Sequence, residues 1–234
     1  MIPDSGKIKL EVTYNQLNLF GKLAKIYALI GFILLIFNLI NIFKSNKTII
    51  KTIEAGTFVA GVLFVIYTTG LAIRWYISGH APMSNGYESM IFISWVTMLA
   101  GFIFSRQSLM ALSATSVLAG FTLMVANLSF MDPEITNLVP VLKSYWLTVH
   151  VSVITGSYGF LGLGALLGII VLILTIIQNN NNYERFEETI ETLTRINHRT
   201  LILGLYFLTI GTFLGAVWAN ESWGRYWGWD PKET

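Results

Sequence analysis

Residues Trp146–Gln178 read WLTVHVSVITGSYGFLGLGALLGIIVLILTIIQ, 33 residues without one Asp, Glu, Lys or Arg. Wound as one helix, they extend about 50 Å at 1.5 Å per residue. The hydrocarbon core of a bilayer accounts for only about 30 Å of that. A membrane barrel would show alternating polarity, and this run is continuously apolar. The stretch therefore predicts a membrane-spanning helix with a surplus that projects beyond the bilayer.

Working outward, five more predominantly apolar runs are candidate spans: Leu23–Phe43, Ala55–Ile73, Ser89–Ser105, Ser108–Phe130 and Thr200–Trp218, of which Ser89–Ser105 is short and Ser108–Phe130 is rich in Ser and Thr. The predicted fold class is all-α, a polytopic integral membrane helix bundle of about six transmembrane helices. Composition agrees. Of 234 residues, 54% are hydrophobic and only 12% charged, about half the charge of an ordinary soluble domain. Mean hydropathy is +0.62. A soluble domain of this size could not bury that much apolar surface and keep a polar skin. A net charge of +2 is too small for a nucleic-acid binder. With no cysteine in the chain, disulfides, thiolate metal sites and catalytic thiols are excluded. The first twenty residues mix Asp4, Lys7, Lys9 and Glu11 with apolar residues and do not read as a cleavable signal peptide.

The weak alternation of Ile8–Tyr14 suggests a strand outside the membrane. The charged stretch after the Asn run at 179–182 suggests a short surface helix. Domain boundaries follow: an extramembrane segment 1–22, a transmembrane domain 23–218 and a tryptophan-rich outer segment 219–234. Lys44, Lys47, Lys51, Arg106, Arg185, Arg195 and Arg199 fall in the first, third and fifth loops, against Arg74 and Lys143 in the second and fourth. The positive-inside rule thus places the odd loops in the cytoplasm, although Lys7, Lys9, Lys22 and Lys25 near the start argue the other way. Loops 74–88 and 131–145 and the segment after Trp218 are expected on the outer face.

That outer segment reads WANESWGRYWGWDPKET from Trp218 to Thr234 and holds four of the seven tryptophans. An aromatic belt at the membrane interface is one reading. The other is a platform for a flat apolar ligand. Trp218, Trp223, Trp227 and Trp229 would offer stacking faces, Gly224 and Gly228 close approach, and Arg225 a partner for a carboxylate. Asp230-Pro231 favours a closing turn. His150 lies on the surplus of the long helix, roughly 10 Å past the hydrocarbon edge, and shares the outer face with the tryptophans. It is either a headgroup-level histidine or an axial ligand for haem iron. His80 in the outer loop is either a second ligand or a loop-stabilising residue. Glu88 is expected to favour the positive end of the helix it opens. His198 reads as a surface residue, and Gly164 and Gly168 as helix-packing positions. The spans lack the mid-membrane charges on which ion pumps and proton-coupled transporters usually depend.

The stretch Trp218–Thr234 closely resembles the WWD signature of haem-handling membrane proteins. Its ending WDPKET is similar to the System II cytochrome c biogenesis proteins of the CcsA/ResC type. Ser78–Trp95 (SGHAPMSNGYESMIFISW) and Ser144–Tyr158 (SYWLTVHVSVITGSY) resemble that family's outer loop and first outer histidine segment. The resemblance implies a role in c-type cytochrome maturation. Haem b, as cargo, would be presented on the WWD segment at the outer face of a bacterial inner membrane or a thylakoid-type membrane. Reduced haem would then be joined to the thiols of apocytochrome c, with a ResB/CcsB-type membrane partner. His150 matches the first outer histidine, and Trp223, Trp227, Trp229 and Asp230 match the haem-facing signature. The family continues with an intramembrane histidine and a second outer histidine, so a chain ending at Thr234 is expected to be part of a longer protein. On this reading the protein acts by positioning within a cytochrome c synthase, and "enzyme" describes it only in part. Alternatives are a System I-like haem delivery protein and a non-haem membrane transporter or scaffold.

Overall fold

The computed structural model describes residues 5–128, 130–135, 144–178 and 183–229. They form seven helices: α1 (Ser5–Leu17), α2 (Leu19–Phe43), α3 (Lys47–Ser78), α4 (Gly86–Ser105), α5 (Leu109–Ala126), α6 (Tyr145–Ile177) and α7 (Tyr183–Trp223). Six stretches are long and apolar enough to cross a membrane, with α1 and α2 together forming the first. The all-helical bundle expected from composition is thus present.

Three details differ from the sequence reading. Ile8–Tyr14 is helical within α1, and the described residues contain no strand. Its alternation was too weak to outweigh a run of residues that all tolerate a helix. The charged stretch 183–199 is not a separate surface helix but the first part of α7, which runs 41 residues. No Gly or Pro interrupts it before Thr200, so nothing breaks the hydrogen-bond ladder. The second span also begins earlier, at Lys47, where the Asn46 side chain accepts from the Thr48 amide as an N-cap.

Helix α5 is the buried centre, packed between α2 and α4, and α6 pairs with α7 as a long hairpin. Close approach depends on small residues. A Cβ on Gly31 would lie 2.5 Å from the Val117 backbone N, and one on Gly120 2.5 Å from that of Ala28. Polar side chains join the same helices: Asn38 donates to Ser113 Oγ at 3.0 Å and Ser94 to the Ala119 carbonyl at 3.0 Å. Such bonds contribute roughly 0.6 kcal/mol each in a membrane bundle. Many large apolar residues of the spans are exposed, Phe58 and Ile176 among them, as a lipid-facing surface requires.

One end of the bundle gathers the loops. Asn85 donates to the Asp132 carbonyl, Ser152 on α6 to Met83 Sδ, and Ser144 to Glu221 near the end of α7. Residues 79–85, 130–135, the start of α6 and the end of α7 therefore share one face.

Candidate functional site

At that end α6 and α7 hold His150 between them. Its Nδ1 lies 2.7 Å from the Gly211 carbonyl oxygen. A carbonyl can only accept, so Nδ1 carries the proton and the neutral ring keeps its lone pair on Nε2. Among the described residues Nε2 has no hydrogen-bond partner. Gly211, Gly215 and Trp218 follow at four and three residues, one face of α7. Gly215 is required by space: a Cβ there would stand 2.6 Å from His150 Cε1. Trp218 lies parallel to the imidazole, 9° between planes and 6.5 Å between centroids. An imidazole with one nitrogen fixed by a carbonyl and the other open is the usual arrangement of a metal-ligating histidine.

The tryptophans continue from this point. Helix α7 runs past Trp218 to Trp223, whose rings meet edge to face at 4.8 Å. Gly224 then ends the helix in the left-handed conformation, φ 70°, its amide bonded to the Asn220 carbonyl. Trp227 and Trp229 form a second edge-to-face pair at 5.9 Å, and Trp229 itself takes a positive φ of 56°. Trp223, Tyr226, Trp227 and Trp229 are all exposed, Trp229 at 78%. The Nε1 of Trp218 is buried and has no partner among the described residues. The Arg225 guanidinium lies over Gly228, 3.2 Å from where a Cβ would stand. Asp230 lies outside the described residues.

His80 is built into its loop. The Ser78 hydroxyl donates to its carbonyl and accepts from its amide, and its Nδ1 is 3.0 Å from the Ala81 carbonyl oxygen. Gly164 packs against Leu201, which a Cβ would meet at 2.6 Å, and Arg199 next to His198 donates to Gln107 at 3.0 Å.

The sequence reading missed one pair. Arg74 Nε donates to Glu88 Oε1 at 2.8 Å, and both side chains are 1% exposed. Glu88 also accepts from the Ser84 amide and hydroxyl through Oε2, at 2.7 and 2.6 Å, and its own amide donates to Asn85. It does sit in the first turn of α4, as expected, but its main partner is a cation rather than the helix end. The signal was present: opposite charges at the facing ends of two apolar spans joined by a short loop. Among the described residues no three His, Asp or Glu side chains converge on one point.

The six apolar helices make the chain a multi-pass membrane protein. Residues 83–234 match the family model described as cytochrome C assembly protein, and the chain belongs to that family, in its CcsA type. It is 49% identical over 234 residues to Protein NrfI of Wolinella succinogenes, covering all of this chain and 26% of that protein. It is 38% identical over 192 residues to the cytochrome c biogenesis protein CcsA of Chlamydomonas reinhardtii, covering 79% of this chain and 54% of that one. With CcsA of Guillardia theta it shares 34% over 233 residues, 88% of this chain and 76% of that one. The chain thus spans about a quarter of the first relative and about half of the second.

Proposed function

We propose that this chain binds haem b as cargo at the loop-rich end of the bundle and presents it for covalent attachment to apocytochrome c. His150 Nε2 is the axial ligand to the iron. Trp218, Trp223, Trp227 and Trp229 form the apolar platform, with Asp230 closing the segment and Arg225 available to a propionate. In this reading residues 1–22 lie outside the bilayer, 23–218 form the membrane domain, and 219–234 stand on the outer face, with a ResB/CcsB-type partner completing the complex. His80 is a loop residue rather than the second ligand.

One observation carries the proposal. The imidazole of His150 is oriented by the Gly211 carbonyl so that its second nitrogen stays open, beside the partly buried Trp218 of the adjoining helix, which in turn meets the exposed Trp223. Haem supplies the iron and the vinyl groups to which thiols add. The chain supplies orientation: the Gly211 hydrogen bond fixes the ring so that Nε2 is the nitrogen left to coordinate, and the indole faces offer stacking area. Membership in a family named for cytochrome c assembly supports the same assignment.

The test is the visible spectrum of the detergent-purified protein, with His150→Ala and His150→Gly alongside. A low-spin haem band that is lost in both variants and restored to His150→Gly by imidazole is expected. A colourless protein under adequate haem supply sinks the reading, as does a spectrum unchanged by either substitution.

A further inference from the structure

Four lysines near the start, Lys7, Lys9, Lys22 and Lys25, run against the charge bias of the loops, and the haem site does not use them. They belong to the loop-rich end of the bundle. Leu19 and Phe20 open α2 and pack against the second half of α3: a Cβ on Gly70 would lie 2.5 Å from Leu19 Cδ2, and the Phe20 and Tyr67 rings are 5.3 Å apart. Lys7 lies over the Tyr76 ring, 5.9 Å from its centroid, two residues before α3 ends at Ser78.

Lys22 and Lys25 share one face of α2 with Leu29, Ile33, Ile36 and Ile40, in steps of three and four residues. All six are exposed, Leu29 at 62%. From Lys25 to Lys44, just past the end of α2, is nineteen residues, about 30 Å of helix, which is the thickness of the hydrocarbon core. Lys44 thus marks one edge of the core and the Lys22–Lys25 turn the other, and both ammonium groups reach the headgroups by snorkelling. The exposed Trp75 and Tyr76 of α3 are the residue types that mark the same level. Among the described residues the ion pairs are Arg74–Glu88 and Glu191–Arg195, so neither lysine has an acidic partner there. Glu11 of α1 is half-buried, and Asp4 lies outside the described residues. Two exposed cations one turn apart match the charge of a phosphate, and the apolar stripe beneath them matches an acyl chain. An acidic protein segment would match only the cations.

We propose that this face of α2 binds an anionic phospholipid in the leaflet at the loop-rich end. The headgroup phosphate accepts from Lys22 and Lys25, and an acyl chain lies along Leu29, Ile33 and Ile36. The site is separate from the imidazole of His150 and does not depend on the haem reading.

The sequence has no cysteine, so Leu29→Cys carries a single fluorophore at the proposed site and Ile40→Cys one at the far end of the same stripe. Each labelled protein is placed in phosphatidylcholine nanodiscs that hold a minor fraction of a spin-labelled lipid, either phosphatidylglycerol or phosphatidylcholine, which quenches at short range. At the Leu29 label phosphatidylglycerol is expected to associate more tightly than phosphatidylcholine, by about fivefold for each lysine engaged. Lys22→Gln combined with Lys25→Gln removes that preference and leaves the Ile40 label unchanged. Lys22→Arg combined with Lys25→Arg keeps it, and raised salt weakens it. Both side chains are exposed, so these variants leave the bundle intact. The proposal is overturned if the two lipids quench the Leu29 label alike, which assigns the lysines to water or to an acidic protein segment. It is also overturned if the Gln pair keeps the preference, or if the Gln pair changes both labels equally, which makes the effect one of overall charge rather than of a bound lipid.

Discussion

Arg74 and His150 stand at the same end of the bundle, yet their surroundings treat a polar side chain in opposite ways. Around Arg74 the chain supplies a full counter-charge at 2.8 Å and excludes solvent from both partners. Around His150 it supplies one carbonyl, leaves the second nitrogen without a partner among the described residues and stacks Trp218 beside the ring. The first arrangement closes a helix corner, because a desolvated charge must be paired. The second keeps coordination capacity in reserve, which adds little to stability and which the proposed function assigns to a ligand arriving from outside. Burial together with partner count thus separates a structural polar group from a binding one.

The largest effect expected is at the closed corner. Glu88→Ala leaves Arg74 buried without its counter-ion and should cost about 3–5 kcal/mol, seen as a large drop in thermal unfolding temperature in detergent. His150→Ala removes a half-buried ring that holds one hydrogen bond and should cost only about 1 kcal/mol. Equal losses from the two variants would break the comparison.

Next in size is a substitution that closes the open site without touching its ligand. Gly215→Val places a Cβ 2.6 Å from His150 Cε1. The ring must turn away and lose the Gly211 carbonyl. Haem affinity, read by titration of the visible band, should fall at least about tenfold, in line with the loss of an orienting partner. The unfolding temperature should move far less than in Glu88→Ala. Retained affinity would show that the Gly211 contact does not orient the ligating nitrogen.

Smaller again is Trp223→Ala. The ring is exposed and meets Trp218 edge to face at 4.8 Å, a contact contributing about 0.5–1.5 kcal/mol. Haem affinity should drop roughly threefold to tenfold, with the low-spin spectrum unchanged, because the axial ligand stays in place. A change of spin state instead would mean that Trp223 acts on the iron ligation and not on the platform.

Much of this was legible beforehand. Continuous apolar runs fixed the number of spans, since a bilayer tolerates few other structures, and the density of tryptophan and glycine after Trp218 marked the aromatic segment. Helix ends were less legible. The charged start of α7 carries no breaker, so its continuity with the apolar part depended on tertiary packing of Phe186, Leu193 and Ile196 into the core. At Ile8–Tyr14 a short alternating pattern cannot separate strand from helix; Leu10 packing against the core together with Tyr14 decided for the helix. The Arg74–Glu88 pair escaped because each residue was read against its own helix, while the contact is between helices. The orientation of His150 depended on a backbone carbonyl 61 residues away, which no local pattern reveals.

The smallest effect sharpens the comparison most. Glu191 and Arg195, one turn apart on α7, pair at 2.9 Å, nearly the same separation as Arg74 and Glu88. The chemistry is the same, a carboxylate accepting from a guanidinium, but these side chains are 73% and 54% exposed. Water and salt screen the attraction, and holding two long side chains in place costs conformational entropy. Glu191→Ala should therefore change stability by about 0.5 kcal/mol or less, and raising the salt concentration should erase even that. The same substitution at Glu88 should be several times larger and nearly independent of salt. Measured side by side in one detergent, the two variants isolate burial as the variable. A Glu191→Ala loss as large as that of Glu88→Ala would mean that the charged third of α7 is covered by something other than solvent in the folded protein.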